Sequence, residues 1–104
     1  MRRLLLAAIA GASLILSANV AAAGDAAAGK AKAAVCSACH GPDGNSANPM
    51  WPNLAGQKAP YMVKQLKDFK SGARKDPVVA PMAAPLSAQD MENLAAFFAS
   101  QKQK

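Results

Sequence analysis

The residues best suited to chemistry stand within five positions of one another. They are Cys36, Cys39 and His40, in the stretch VCSACHG, and they are the only cysteines and the only histidine among 104 residues. Spaced i and i+3 on a helix, the two thiols share one face, about a turn apart. The imidazole follows at once, where a helix end lets its ring turn inward. Two thiols so placed suit thioether bonds to the two vinyl groups of a haem, and the adjacent imidazole then ligates the iron. C-x-x-C-H is therefore read as the attachment pattern of one covalent haem c. Competing chemistries use fewer of these residues. A thioredoxin-like dithiol expects a βαβ setting, whereas strand signals here are weak: Val78-Val79 is short and lies between prolines. A closed zinc site wants four ligands, and no cysteine or histidine follows His40. A plain short disulfide leaves His40 without a task.

Iron held by His40 on one face has a second axial position to fill. With no further histidine, the candidates are methionines. Met62 and Met91 fall on apolar helix faces and read as core. Met50 lies in a loop only ten residues after His40, which leaves little chain to reach the opposite face. Met82 stands 42 residues after His40, between Pro81 and Pro85, just before the last helix. Met82 is thus the expected ligand and Met50 the alternative. A soft thioether raises the reduction potential relative to harder ligands. With both axial positions filled, substrate has no place on the iron, so the expected protein is an electron carrier and not an enzyme. A haem-based peroxidase or gas-binding module is the alternative if the Met82 bond is labile or absent.

The elements that must position these groups read as all-α. Residues 1–23 carry a basic start, an apolar run from Leu4 to Leu16 and a terminal Ala21-Ala22-Ala23, the pattern of a cleaved secretory signal peptide. A retained anchor is the competing reading, but half the segment is small residues and its apolar core is short. Arg2-Arg3 hints at twin-arginine export without a fuller motif. The mature domain is expected at 24–104, in the periplasm, with no stable membrane anchor. A helix is predicted over Asp25 to Cys39, capped by Asp25, with Gly29 inside it at a cost of roughly 1 kcal/mol against alanine. A turn-rich loop follows from Gly41 to Gly56. A second helix runs from about Ala59 to Ser71, with Pro60 in its first turn and Gly72 just past its end. Gly72 to Pro85 reads as irregular, broken by three prolines. Ser87 and Asp90 open the final helix as a capping box with a shorter acid, and Met91, Leu94, Ala95 and Phe98 follow at helical spacing.

So small a domain, rich in alanine and holding five aromatics, is near the limit of a protein-only core. A large apolar ring supplies what is missing and implies a poorly folded apoprotein. The formal charge of the whole chain is +6. Without Arg2 and Arg3 it is +4, which suits a soluble surface or a docking face for an acidic protein. Nucleic acid is not expected, since no dense basic tract is present.

The stretches GDAAAGKAKAAVCSACHGPDGNS, PNLAGQ, YMVKQLKDFKSGARKDP, PMAAPLS and ENLAAFFAS occur in that order. With them the chain resembles a class I cytochrome c of the bacterial periplasmic monohaem type, similar to one half of the dihaem periplasmic cytochromes c. The departure is one haem motif in place of two. The resemblance implies a small cytochrome c fold of three to four helices around the haem, with crossing N- and C-terminal helices. Gly29 would meet Leu94 and Phe97 at that crossing. It also implies Met82 as axial ligand and the Pro52 carbonyl as acceptor for the His40 ring, although Pro52 reads equally as a turn proline. Trp51 and Tyr61 would turn polar hydrogens toward the haem propionates, or equally serve as core residues with satisfied tips. Implied partners are a quinol-oxidising complex or another cytochrome as donor and an oxidase or reductase as acceptor. Lys58, Lys64 and Lys67 would aid docking of a monomer or weak dimer.

Overall fold

The computed structural model describes residues 24–104 and, before them, Gly11 alone. The expected leader over 1–23 therefore lies outside the described residues. Within them the chain forms five helices and no strand: α1 (Ala26–Lys32), α2 (Ala34–His40), α3 (Ala59–Ser71), α4 (Val79–Ala83) and α5 (Ala88–Ala99).

The expected first helix is divided in two. Asp25 does cap it, its carboxylate accepting from the Ala27 and Ala28 N–H groups. At Ala33, however, ψ flattens to −7°. The Ala33 carbonyl takes three donors there: the Cys36 N–H at 2.9 Å, the Ser37 N–H at 3.0 Å and the Ser37 hydroxyl at 3.0 Å. That crowding tightens the turn locally and separates the cap-bearing segment from the segment that carries the thiols.

Helix α3 has the predicted limits, with Pro60 in its first turn and Gly72 left-handed (φ 85°) at its end. Helix α5 carries the full capping box: the Ser87 hydroxyl accepts from the Asp90 N–H, and the Asp90 carboxylate accepts from the Ser87 N–H. Helix α4 corrects the irregular reading of 72–85. Pro81 falls in its first turn, where an N–H has no intrahelical partner to lose. The Asp76 carboxylate accepts from the Val78 and Val79 N–H groups and starts the turn.

The core is the inner face of α5 set against its neighbours. Met91, Leu94, Ala95, Phe97 and Phe98 are all buried, together with Ala33, Met62, Val63, Ala83 and Leu86. Each large side chain so buried contributes roughly 1.5–3 kcal/mol. Helix α5 packs on α1 and α3, and α4 packs on α3. The crossing of α1 with α5 is close. A Cβ on Gly29 would fall on the Asn93 carbonyl and lie 2.9 Å from the Phe97 Cβ. Phe97 is met as expected, but the nearest obstacle is the main chain at Asn93 and not Leu94. Asn93 also holds the entry to α1, its side-chain oxygen accepting from the Asp25 N–H at 2.8 Å.

Candidate haem site

Helix α2 is seven residues long and places both cysteines and His40 in its last five. Cys36 packs against the core, and both cysteines are free, partly buried thiols. Burial, and after it the neighbouring Cys39, pushes the Cys36 thiol pKa up. His40 closes the helix. Gly41 follows with φ 81° and donates its N–H to the Ser37 carbonyl. At that angle a side chain is strained, and a Cβ there would also strike the Asn45 carbonyl. Gly41 thus lets the chain turn sharply away and leaves the imidazole at the end of the helix.

The ring is fixed by one contact. His40 Nδ1 lies 2.8 Å from the Pro52 carbonyl oxygen. A carbonyl only accepts, so Nδ1 carries the proton, and Nε2 of the neutral ring keeps a free lone pair. That is the tautomer a metal needs from a histidine whose other nitrogen is anchored by an acceptor. The anchoring loop is itself braced. The Gly44 carbonyl accepts from the Leu54 N–H at 2.7 Å and the Ala55 N–H at 3.0 Å.

Met82 sits on α4 and is 39 % exposed, whereas Met50 is 82 % exposed in the loop. Met62 and Met91 are buried core residues, as expected. Trp51 and Tyr61 are both exposed. Among the described residues neither polar tip hydrogen-bonds to a protein group. The structure thus joins His40 directly to Pro52, while Met82 is carried by an element packed on α3. Sequence reasoning missed Ser46 and Asn53, which bond across the loop between Cys39 and Pro52. Turn-forming residues are numerous there, and no spacing rule marks which of them face one another.

The donor set fits a tethered haem. Two thiols one turn apart and an imidazole with a free Nε2 stand together on α2. Large apolar side chains left exposed, Val35, Met50, Trp51, Tyr61, Val78 and Met82, come from α2, the loop before α3, α3 itself, and the α4 segment. Helices α1 and α5 expose no such residue, so the apolar surface not used by the core belongs to the elements that carry the candidate ligands. Among the described residues, no group of three or more His, Cys, Asp or Glu side chains converges as a metal cluster would require. Clefts of about 710 and 440 Å³ lie elsewhere, the first beside Lys30, Asp43 and Phe97, the second beside Gly24, Val63 and Glu92.

Fold and site together define a small all-α domain of the kind that carries a covalently attached haem. The chain belongs to the cytochrome c family, whose model, described as "Cytochrome c", matches residues 26–102. It is 57 % identical over 81 residues to cytochrome c4 of Pseudomonas aeruginosa, covering 78 % of this chain and 40 % of that one. It is 45 % identical over 83 residues to cytochrome c-554(548) of Halomonas halodenitrificans, covering 77 % of this chain and 100 % of that one. The crystal structure of reduced recombinant cytochrome c4 from Pseudomonas stutzeri superposes with a TM-score of 0.73 at 52 % identity, over 77 % of this chain and 47 % of that one. The chain therefore spans less than half the length of the cytochrome c4 relatives, as its resemblance to one half of a dihaem cytochrome implies. Its cofactor is a covalently bound haem c.

Proposed function

We propose that this protein is a periplasmic one-electron carrier, with haem held by thioethers at Cys36 and Cys39 and iron ligated by His40 and Met82. The observation that carries the reading is the His40–Pro52 hydrogen bond, 2.8 Å long, which leaves Nε2 as the free donor beside the two thiols. When bound, the haem supplies a centre that gains and loses a single electron. The chain's own residues do the rest. Cys36 and Cys39 tether the ring from one helix face, and His40 presents Nε2 in a fixed tautomer. Met82 offers its sulfur from α4, which Asp76 starts and α3 supports. With His40 and Met82 both holding the iron, no position would be left open for a substrate, and the site would pass electrons without bond chemistry. The leader over 1–23 exports the chain and is removed after Ala23.

The charge distribution supports an acidic redox partner. Residues 58–75 hold six cations (Lys58, Lys64, Lys67, Lys70, Arg74 and Lys75) against one acid, Asp68. The rest of 24–104 holds four cations and five acids, so the whole positive surplus lies on α3 and the turn after it. Lys64 pairs with Asp68 at 2.6 Å, and Arg74 lies over the Phe69 ring at 4.5 Å. Lys58, Lys67 and Lys75 make no ion pair among the described residues. Such a face attracts an acidic surface at long range and orients its approach. A quinol-oxidising complex or another cytochrome fits as donor, and an oxidase or reductase as acceptor.

The test is stopped-flow oxidation of the reduced holoprotein by ferricyanide, an anionic one-electron reagent. The reading predicts a single fast phase that slows as ionic strength rises. Slow or incomplete oxidation, together with binding of carbon monoxide or peroxide to the iron, would favour the peroxidase or gas-binding alternative.

A further inference from the structure

We infer that Asn53 is a positioning residue for the His40 ring, acting through the Pro52 carbonyl, and that Ser46 is its partner across the loop. The inference rests on the reading of His40 as a haem ligand.

The Pro52 carbonyl is the one acceptor for His40 Nδ1, yet it belongs to an exposed loop with no helix or strand to hold it. Its direction depends on the peptide plane between Pro52 and Asn53. The proline ring fixes φ on one side of Pro52, but ψ of Pro52 and φ of Asn53 are left to the surroundings. The Asn53 side chain supplies the constraint, its oxygen accepting from the Ser46 N–H at 2.7 Å. Ser46 is in turn tied to the end of α2. Its hydroxyl lies 3.2 Å from the Cys39 carbonyl and 2.8 Å from the Asn48 carbonyl. It also accepts from the Asn48 N–H at 3.2 Å. With one hydrogen, the hydroxyl donates to one carbonyl at a time and remains clamped in either case.

When the Ser46 hydroxyl donates to the Cys39 carbonyl, these bonds close a ring that runs through His40. Cys39 precedes His40 in the chain, Ser46 reaches back to Cys39, Asn53 reaches across to Ser46, and Pro52 beside it holds Nδ1. Leu54 N–H, the next donor along, is fixed on Gly44 by main chain alone. Asn53 is thus the side-chain link nearest the Pro52–Asn53 peptide, and it can be removed without altering a backbone group. A carbonyl well aimed at Nδ1–H makes the ring a stronger donor to a metal. A stronger donor favours the oxidised iron, so a released carbonyl raises the potential.

The experiment uses the holoprotein and reads hydrogen exchange of the His40 Nδ1 proton by NMR in the reduced state, with the reduction potential alongside. Asn53→Ala should speed exchange by about tenfold, the loss of one ordinary hydrogen bond's worth of protection, and move the potential upward. Asn53→Asp keeps an acceptor oxygen at the same reach and should restore slow exchange. Should the alanine variant fail to accumulate as holoprotein, Asn53→Thr, whose hydroxyl falls short of the carboxamide's reach, carries the same test. Unchanged exchange and potential, whether or not the melting temperature falls, would overturn the positioning role. If the wild-type protein shows no ligand imidazole resonance, the ligation reading fails instead, and the two failures are told apart.

Discussion

Replacing Gly29 with alanine tests the helix crossing on which this small fold depends. On an exposed helix the change would help, since alanine is favoured over glycine by roughly 0.8–1.0 kcal/mol. Here the new methyl would land on the Asn93 carbonyl and 2.9 Å from the Phe97 Cβ. The obstacle is α5 main chain and the root of a buried ring, so neither can swing aside, and α1 must lift from α5. Forcing a methylene into packed structure costs about 1–3 kcal/mol, and a main-chain obstacle puts this case near the upper end. Subtracting the propensity gain leaves a net loss of about 2 kcal/mol. In a domain of this size that lowers the melting temperature by roughly 10 °C. The assay is thermal unfolding of the holoprotein followed by far-UV circular dichroism. Gly72→Ala is the control. Gly72 has φ 85° and open space around its Cβ position, so its loss reflects only the left-handed backbone, about 1 kcal/mol. A Gly29→Ala melting temperature equal to or above wild type would refute the close crossing.

Other outcomes follow from the same contacts. Ser87→Ala removes the acceptor for the Asp90 N–H and should cost about 1 kcal/mol in chemical denaturation; no change would mean the capping box is not formed. The carboxyl pKa values of three aspartates are held low: Asp43 mainly by the Lys104 side chain, Asp76 by the Val79 and Val78 N–H groups, and Asp90 by the Ser87 N–H. Groups with lowered folded pKa stabilise fully above their unfolded value of about 4, and that contribution fades as pH falls through the folded values. Stability should therefore be flat above about pH 5 and fall below about pH 4, and Asp90→Asn should make that acid limb shallower. Charge reversal at Lys58 and Lys67 together should slow oxidation by ferricyanide at low ionic strength by about tenfold and flatten its salt dependence; an unaltered salt slope would remove α3 as the docking face. Cys36→Ala with Cys39→Ala should abolish covalent haem, read as the loss of the haem mass from the intact protein.

Much of this was legible because strong local signals agree with the tertiary structure. Pro60 and Gly72 bracket α3, and Ser87 with Asp90 opens α5, since caps act within a turn of the residues that form them. C-x-x-C-H carries its chemistry in its own spacing. Helix α4 is hard to read from sequence because Pro77, Pro81 and Pro85 act as breakers in most settings. The rule that admits Pro60 to a first turn admits Pro81 as well, and Asp76, which accepts from the Val78 and Val79 N–H groups, is the local signal that starts the turn. The division of the first helix at Ala33 arises from a side-chain hydroxyl, Ser37, returning to a carbonyl one turn back, which no apolar periodicity reveals. The Asn93 main chain under Gly29 and the Ser46–Asn53 pair join residues far apart in sequence, and only the folded chain brings them together. Conversely, the histidine's partner at Pro52 followed from family resemblance and not from the residues, which read equally well as a turn.

The most direct test of the account is an absorption spectrum of the holoprotein, matured with haem-attachment machinery and taken through a full redox cycle, beside that of Met82→Ala. The account predicts a reversible one-electron change and low-spin spectra in both states. It also predicts a weak far-red iron–sulfur band in the oxidised wild type that is missing from the variant, whose potential is lower. A high-spin wild-type spectrum without that band, or a band that survives the loss of Met82, would contradict it.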